Sequence, residues 1–180
     1  MYVYTGNISN LAHCIINNFV LNKGVAIDAT LGNGYDTDFL SNIFQDVYSF
    51  DIQRQACENY ILKGIDNVTV INDSHHLFKK YIDKNVDCII YNLGFLPGGD
   101  KNITTIHETS LGSIKEGLEI LSNSGIMIIC IYRGHSEGKI EESFILNYLK
   151  TLPKNKFGVM VHSYLNRDEV APLLVVVEKK

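Results

Sequence analysis

The sequence contains no C-x-x-C pair: Cys14, Cys57, Cys88 and Cys130 stand far apart. That spacing disfavours a zinc knuckle or a disulfide framework and predicts reduced thiols. A basic excess is missing too, with 16 Lys and Arg against 20 Asp and Glu for a net charge of −4. No global positive field therefore draws in nucleic acid, although a local basic face remains compatible with binding it. No apolar run approaches a membrane span, and Met1-Tyr2-Val3-Tyr4-Thr5-Gly6 lacks the basic-then-apolar order of a leader. These absences predict a cytoplasmic chain with no membrane partner. There is also no repeat, low-complexity tract or Pro/Ser-rich linker, so 180 residues at 46% hydrophobic content predict one domain over 1–180 with a sizeable core.

What the chain does have is an alternation of short apolar runs with amphipathic segments. The runs predict strands at Val25–Asp28, Val47–Asp51, Val68–Asn72, Val86–Asn92, Gly125–Tyr132, Phe157–Tyr164 and Leu173–Glu178. Helical spacing marks Tyr35–Phe44, Arg54–Lys63, His75–Ile82 and Thr105–Leu121, with a further helix around Ile140, Phe144, Tyr148 and Leu149. Thr105 and Glu108 have the spacing of a capping box. Only the polar segment Leu165–Ala171 separates the last two strands, which is hairpin rather than crossover length and makes the final strand antiparallel. A leading helix carries Leu11, Ile15 and Phe19. The expected class is α/β: a seven-stranded, mostly parallel sheet with an antiparallel last strand and helices on both faces. That arrangement resembles the Rossmann-like class I methyltransferase fold.

The run Val25-Ala26-Ile27-Asp28-Ala29-Thr30-Leu31-Gly32-Asn33-Gly34 reads as a buried strand feeding a nucleotide-cofactor loop. A tight turn alone would also use such a glycine pair. Polar residues then close four strands, Asp28, Asp51, Asp73 and Asn92, where an open α/β sheet places its ligand. Asp51 lies about twenty residues past the glycines, the separation at which an acid accepts both ribose hydroxyls of a nucleoside cofactor. Either Asp51 or Asp73 taken singly could equally be a helix cap. Asp73-Ser74-His75 is placed for an adenine ring, and His75-His76 as a metal pair lacks a third ligand. A dinucleotide fingerprint wants a third glycine where Thr37 stands, and a nicotinamide cofactor gives Asp28 no cationic partner. Asp28 instead suits the methionine ammonium of S-adenosyl-L-methionine.

The segments Asp28–Thr37, Asp51-Ile52-Gln53, Asn92-Leu93-Gly94-Phe95-Leu96-Pro97-Gly98-Gly99-Asp100-Lys101 and Tyr132-Arg133-Gly134-His135 resemble a bacterial family long labelled rRNA methylase. It is similar to the MnmM-type tRNA 5-(aminomethyl)-2-thiouridine methyltransferases, and the likeness spans nearly the whole chain. The family carries a double proline before its last strand, where this chain has Ala171-Pro172. The resemblance implies S-adenosyl-L-methionine as cofactor, held by Asp28, Gly32, Asn33, Gly34, Asp36, Thr37, Asp51, Gln53, Asp73, Ser74 and His75. It implies methylation of the aminomethyl nitrogen on a wobble uridine, with the tRNA anticodon stem-loop as partner; a homodimer stays open.

Asn92-x-x-Phe95 resembles the asparagine-to-aromatic spacing of amino-methylating enzymes, in which a carbonyl accepts an N–H bond and a ring stacks on the base. His135 is a candidate exit for the amine proton, and Lys101, Tyr132 and Arg133 for contact with the nucleotide or its phosphates. Arg133 and His135 could equally be ordinary loop residues. Other readings are an rRNA or small-amine methyltransferase, a nicotinamide-dependent oxidoreductase and a non-catalytic nucleoside- or RNA-binding module.

Overall fold

Alternating burial decides the architecture, since each strand must cover both of its faces. In a computed structural model, which describes residues 2, 4–94, 98 and 104–180, the chain forms a seven-stranded sheet. The strands are β1 (Val25–Asp28), β2 (Asp46–Phe50), β3 (Val68–Ile71), β4 (Val86–Leu93), β5 (Leu121–Ile131), β6 (Phe157–His162) and β7 (Leu173–Lys179). The helices are α1 (Ile8–Phe19), α2 (Tyr35–Ser41), α3 (Arg54–Ile61), α4 (Phe78–Tyr81), entered by a 3-10 turn at His75–Leu77, α5 (His107–Ile120) and α6 (Ser136–Leu149). Strand order is β3-β2-β1-β4-β5-β7-β6. β1 through β5 pair in parallel, and β7 is antiparallel to both β5 and β6.

One face of the sheet presents Ile27, Phe50, Ile89, Tyr91, Met127, Ile129 and Val175 to Phe78, Ile114, Leu118, Ile145 and Leu149 of α4, α5 and α6. The other presents Ala26, Val47, Cys88, Ile90, Ile128 and Cys130 to α1 and α2. Cys57 and Tyr60 of α3 pack with Leu31. This is the arrangement of class I methyltransferases, and the two helical layers leave the carboxyl ends of the parallel strands open. β1 and β4 adjoin at the point where strand order reverses, the place where such sheets bind ligands. None of the helices among the described residues is long and apolar enough to cross a membrane.

Several boundaries differ from the sequence-based expectation. β5 begins at Leu121 rather than Gly125, because Leu121 already pairs with Val86; the register with β4 then shifts before Ile126, around Ser124 with its φ of 62°. The capping box at Thr105 is not formed: Ile106 caps α5 without a side-chain bond. The Thr105 hydroxyl instead donates to Glu141 at 2.9 Å, and the Ser110 hydroxyl donates to the same carboxyl at 2.7 Å. Glu141 is fully buried, and a buried carboxyl left without donors costs far more than one missing cap.

Candidate active site

A cavity of about 1030 Å³ opens at the carboxyl edge of the parallel strands, walled by the loops after β1 to β5 and by the first turns of α1. The β1 loop is built first by its glycines. Gly32 and Gly34 hold φ of 49° and 81°, which side-chain-bearing residues adopt only with strain. The Gly32 N–H donates to Asp51 Oδ2 at 2.8 Å, tying the loop to the end of β2. Gly34 caps α2 and does not line the cavity. A Cβ there would run into the Tyr60 ring, so this glycine serves packing rather than a ligand.

Asp28 and Thr37 also sit beneath the cavity rather than in its wall. Asp28 is fully buried; its Oδ1 accepts the Thr30 N–H at 3.0 Å and its Oδ2 the Thr37 hydroxyl at 2.6 Å. Thr37 further bonds Ser49 at 2.8 Å, so α2 meets the strands through hydroxyls where a dinucleotide fold uses glycine. Burial, and after it the Asp36 carboxylate, push the Asp28 carboxyl up to about 7, against the Thr37 and Thr30 bonds. Asp28, expected to hold a cationic group directly or through water, thus takes a supporting position under the loop, with no side-chain atom in the cavity wall.

Gly32, Asn33, Asp36, Asp51, Gln53, Asp73, Ser74 and His75 all line the cavity, as does Asn92. Asp51 Oδ1 accepts the Gln53 N–H at 2.8 Å, and each of its oxygens keeps a further lone pair for a ligand. Burial raises the Asp51 carboxyl, with its backbone donors opposing. Asp73 is braced by the Tyr81 hydroxyl at 2.6 Å, the Ser74 N–H at 2.8 Å and Lys80 at 3.1 Å; these bonds, that of Tyr81 foremost, hold it near 2. His75 Nδ1 bonds the Ala29 carbonyl at 3.0 Å, and burial drives the imidazole down to about 4. It is neutral, with Nδ1 donating. His76 is committed elsewhere, its Nδ1 on the Ser74 hydroxyl at 2.7 Å.

Asn92 closes β4. Its backbone N–H donates to the Thr30 hydroxyl at 2.8 Å, joining the β1 loop to the end of β4. Its side-chain NH₂ donates to Asp36 Oδ2, and its Oδ1 is buried without a protein partner. Asp36 Oδ1 in turn faces His13 Nε2 of α1 at 2.6 Å, and His13 also lines the cavity. Neither His13 nor Thr30 stood out in the sequence as a site residue. Thr30 lies inside the glycine loop and could have been read from it; His13 had no local signal, since it reaches Asp36 only through the packing of α1.

The segment after β5 divides. Tyr132 lines the cavity and its N–H donates to the Leu93 carbonyl at 3.1 Å. Arg133 does not line it: the guanidinium donates twice to the Ala171 carbonyl, at 2.8 and 2.5 Å, and once to Glu142 at 3.1 Å. Its expected phosphate contact is corrected to a pin between α6 and the β6–β7 connection. His135 caps α6, its Nδ1 accepting the Gly138 N–H at 3.0 Å; a Cβ on Gly94 would stand 3.8 Å from its Nε2, which places it beside the loop after Asn92. Phe95 and Lys101 lie outside the described residues.

The wall is thus acidic near Asp36 and Asp51 and apolar beside them, where Ile52 is 59% exposed. Carboxylates with spare lone pairs suit a vicinal diol, the apolar patch suits a flat ring, and a wall of acids with Asp28 behind it favours a cationic ligand. Comparison with known proteins agrees. The family model described as "Putative rRNA methylase" matches residues 47–178. The chain is 30% identical over 190 residues to the chloroplastic tRNA (mnm(5)s(2)U34)-methyltransferase of Arabidopsis thaliana, covering 96% of this chain and 69% of that one. A crystal structure titled "putative rRNA-methylase" from Clostridium thermocellum superposes with TM-score 0.92 at 36% identity over 100% of both chains. A "putative methyltransferase" from Streptococcus mutans, solved in complex with SAH, superposes with TM-score 0.88 at 36% identity over 97% of this chain and 99% of that one.

Proposed function

This chain belongs to the rRNA methylase family and is an S-adenosylmethionine-dependent methyltransferase, and we propose that it N-methylates the aminomethyl group of wobble 5-aminomethyl-2-thiouridine in tRNA, giving 5-methylaminomethyl-2-thiouridine. The acceptor base would be offered by the anticodon stem-loop. One observation carries the choice of an amine: Asn92 lines the cavity with its NH₂ engaged by Asp36, and its buried Oδ1 has no protein partner. An unpaired buried acceptor costs about 1–3 kcal/mol, which an N–H of the acceptor amine would relieve.

The cavity residues fit the cofactor as they stand. Asp51 would take the ribose hydroxyls, Asp73, Ser74, His75 and Ile52 would surround the adenine, and the loop through Gly32 and Asn33 would follow the methionine portion. Bound there, S-adenosylmethionine supplies an electrophilic methyl group on a sulfonium. The chain's own residues then have little covalent chemistry to do; alignment of the amine is their main contribution, and such alignment is worth large effective molarities. Asn92 Oδ1 accepts one N–H and directs the nitrogen lone pair. An aliphatic amine enters mostly protonated, which the acidic wall favours, and must lose a proton before it attacks. His135 stands outside the cavity wall with its Nδ1 accepting the Gly138 N–H, which leaves the hydrogen on Nε2, so the amine proton leaves through water in the cavity.

The reading is tested with purified protein, S-adenosylmethionine and tRNA bearing 5-aminomethyl-2-thiouridine, by mass analysis of the digested nucleosides. The modified nucleoside should gain one methyl group, and tRNA whose wobble uridine lacks the aminomethyl group should gain none. Methyl transfer confined to rRNA fragments, or to a free small amine, overturns the substrate and leaves the methyltransferase in place.

A further inference from the structure

We propose that His13 is a positioning residue for methyl transfer: acting through Asp36, it fixes which end of the Asn92 amide meets the acceptor nitrogen. The inference rests on the reading of Asn92 as the group that touches the amine. An asparagine amide is a donor at one end and an acceptor at the other, and only the acceptor end can receive the N–H of an incoming amine. What decides its orientation is the partner of the other end. Asp36 offers carboxylate oxygens that accept only, so Asn92 must turn its NH₂ toward Oδ2, and Oδ1 is left for the substrate.

That lock holds only while Asp36 is itself held. Its side chain is nearly buried and belongs to the first turn of α2, behind the glycine loop. Asp28 lies close enough for each carboxyl to feel the other, a repulsion that works against a fixed Asp36. The opposing contact comes from α1, where His13 Nε2 lies 2.6 Å from Oδ1; a carboxylate oxygen only accepts, so the ring donates its N–H in this pair. His13 is kept in that pose from behind: its ring stacks on Phe39 of α2 with centroids 3.9 Å apart and planes 5° from parallel. α1 is held in turn by Ile8, Ala12, Ile15 and Ile16, which are buried against the sheet. The three side chains thus form one line from α1 through α2 to the end of β4, and all three face the same cavity.

Two substitutions separate the hydrogen bond from the ring. His13→Phe keeps a ring to stack on Phe39 and removes the donor; His13→Gln removes the ring and keeps an N–H near the position of Nε2. His13→Phe should lower kcat by about tenfold, equivalent to ~1.4 kcal/mol in the barrier. The KM for S-adenosylmethionine and the calorimetric affinity for S-adenosylhomocysteine should stay within about twofold, and His13→Gln should recover most of kcat. In a double-mutant cycle, His13→Phe should cost nothing further once Asn92 is alanine, since there is no amide left to orient. A readout independent of turnover is the side-chain NH₂ of Asn92 in selectively labelled protein. One of its protons should resonate downfield and exchange slowly, and His13→Phe should shift it while His13→Gln does not. Losses that multiply in the cycle, a His13→Gln variant as slow as His13→Phe, or an Asn92 resonance blind to both changes would overturn the proposal. Absence of wild-type methylation on the aminomethyl tRNA would overturn the substrate instead, and the resonance test would still stand or fall by itself.

Discussion

Acid should unlock the floor of the cavity through one buried imidazole. His75 bonds the Ala29 carbonyl at 3.0 Å and lies edge-on to Tyr91 with ring centroids 5.9 Å apart, nearly buried in the floor of the cavity. Desolvation lowers its folded pKa to about 4 from an ordinary 6.5. A base depressed on folding binds fewer protons in the native state, so its stabilisation is complete above pH 6.5 and drains away as pH falls toward 4. At 1.36 kcal/mol per unit, that interval is worth roughly 3 kcal/mol. Asp28 acts with the opposite sign: its carboxyl is raised to about 7, so its share of stability is lost as pH rises from 3.8 through 7. Total stability against pH therefore mixes the two, and a difference measurement is needed. His75→Asn keeps an N–H close to the position of Nδ1 and titrates nowhere in this range. Urea unfolding of both proteins between pH 4 and 8 should give a wild-type minus variant difference that is flat above 7 and falls by roughly 3 kcal/mol on reaching pH 4. A difference constant within about 0.5 kcal/mol over the whole range would show that the imidazole does not titrate as a buried base.

Further substitutions separate scaffold from chemistry. Gly34→Ala should destabilise by more than the ~1–2 kcal/mol of a left-handed residue, because its Cβ meets the Tyr60 ring; in a Tyr60→Ala background only the backbone part should remain, and equal losses in both backgrounds would refute the clash. Asp51→Ala should weaken S-adenosylmethionine binding by about 1.5–3 kcal/mol for each charge-assisted bond lost, measured by calorimetry; unchanged affinity would remove Asp51 from the ribose site. Asn92→Ala should depress kcat while leaving cofactor affinity nearly intact, and a variant with wild-type turnover would end its assignment to the acceptor. Arg133→Gln should cost about 1–3 kcal/mol of folding stability through its lost bonds to Ala171 and Glu142, and should leave the KM for tRNA unchanged; the reverse pattern would restore a phosphate contact.

Local patterning carried most of the architecture into view. Val25–Asp28 is buried along its whole length, the helical stripes match α1, α2, α3, α5 and α6, and the short polar Leu165–Ala171 does make β7 antiparallel. The cavity residues that follow strand ends were legible for the same reason, since topology alone sends the ends of β1 to β4 to one edge. What the sequence hid are choices settled by distant partners. Thr105 looked like a cap until Glu141, 36 residues away, required a donor. Arg133 looked like a free basic residue until the Ala171 carbonyl, 38 residues on, took it. Thr37 and Asp28 sit in the expected loop, yet their mutual hydrogen bond turns them away from the cavity. His13 belongs to a different helix from every motif residue, and only the docking of α1 on the sheet brings it to Asp36.

The bond between Asn92 and Thr30 gives the threonine of this loop a role that a glycine could not fill. Thr30 contributes an N–H to Asp28 and a hydroxyl that accepts the backbone N–H of Asn92, so one residue of the donor loop grips both the buried acid below it and the acceptor residue beside it. Asp36, in the first turn of α2 just past that loop, holds the Asn92 side chain. The β1 loop and α2 are thereby joined to the carboxyl end of β4 by two hydrogen bonds, from the Asn92 N–H to Thr30 and from the Asn92 NH₂ to Asp36. A glycine at 30 would keep the N–H donated to Asp28 and lose the hydroxyl, leaving the Asn92 backbone to the sheet pairing and its side chain to Asp36. In-line transfer of a methyl group depends on angstrom-level alignment between two ligands bound by different strands. Tying the loop that follows the donor to the residue that directs the acceptor makes that alignment a property of the scaffold.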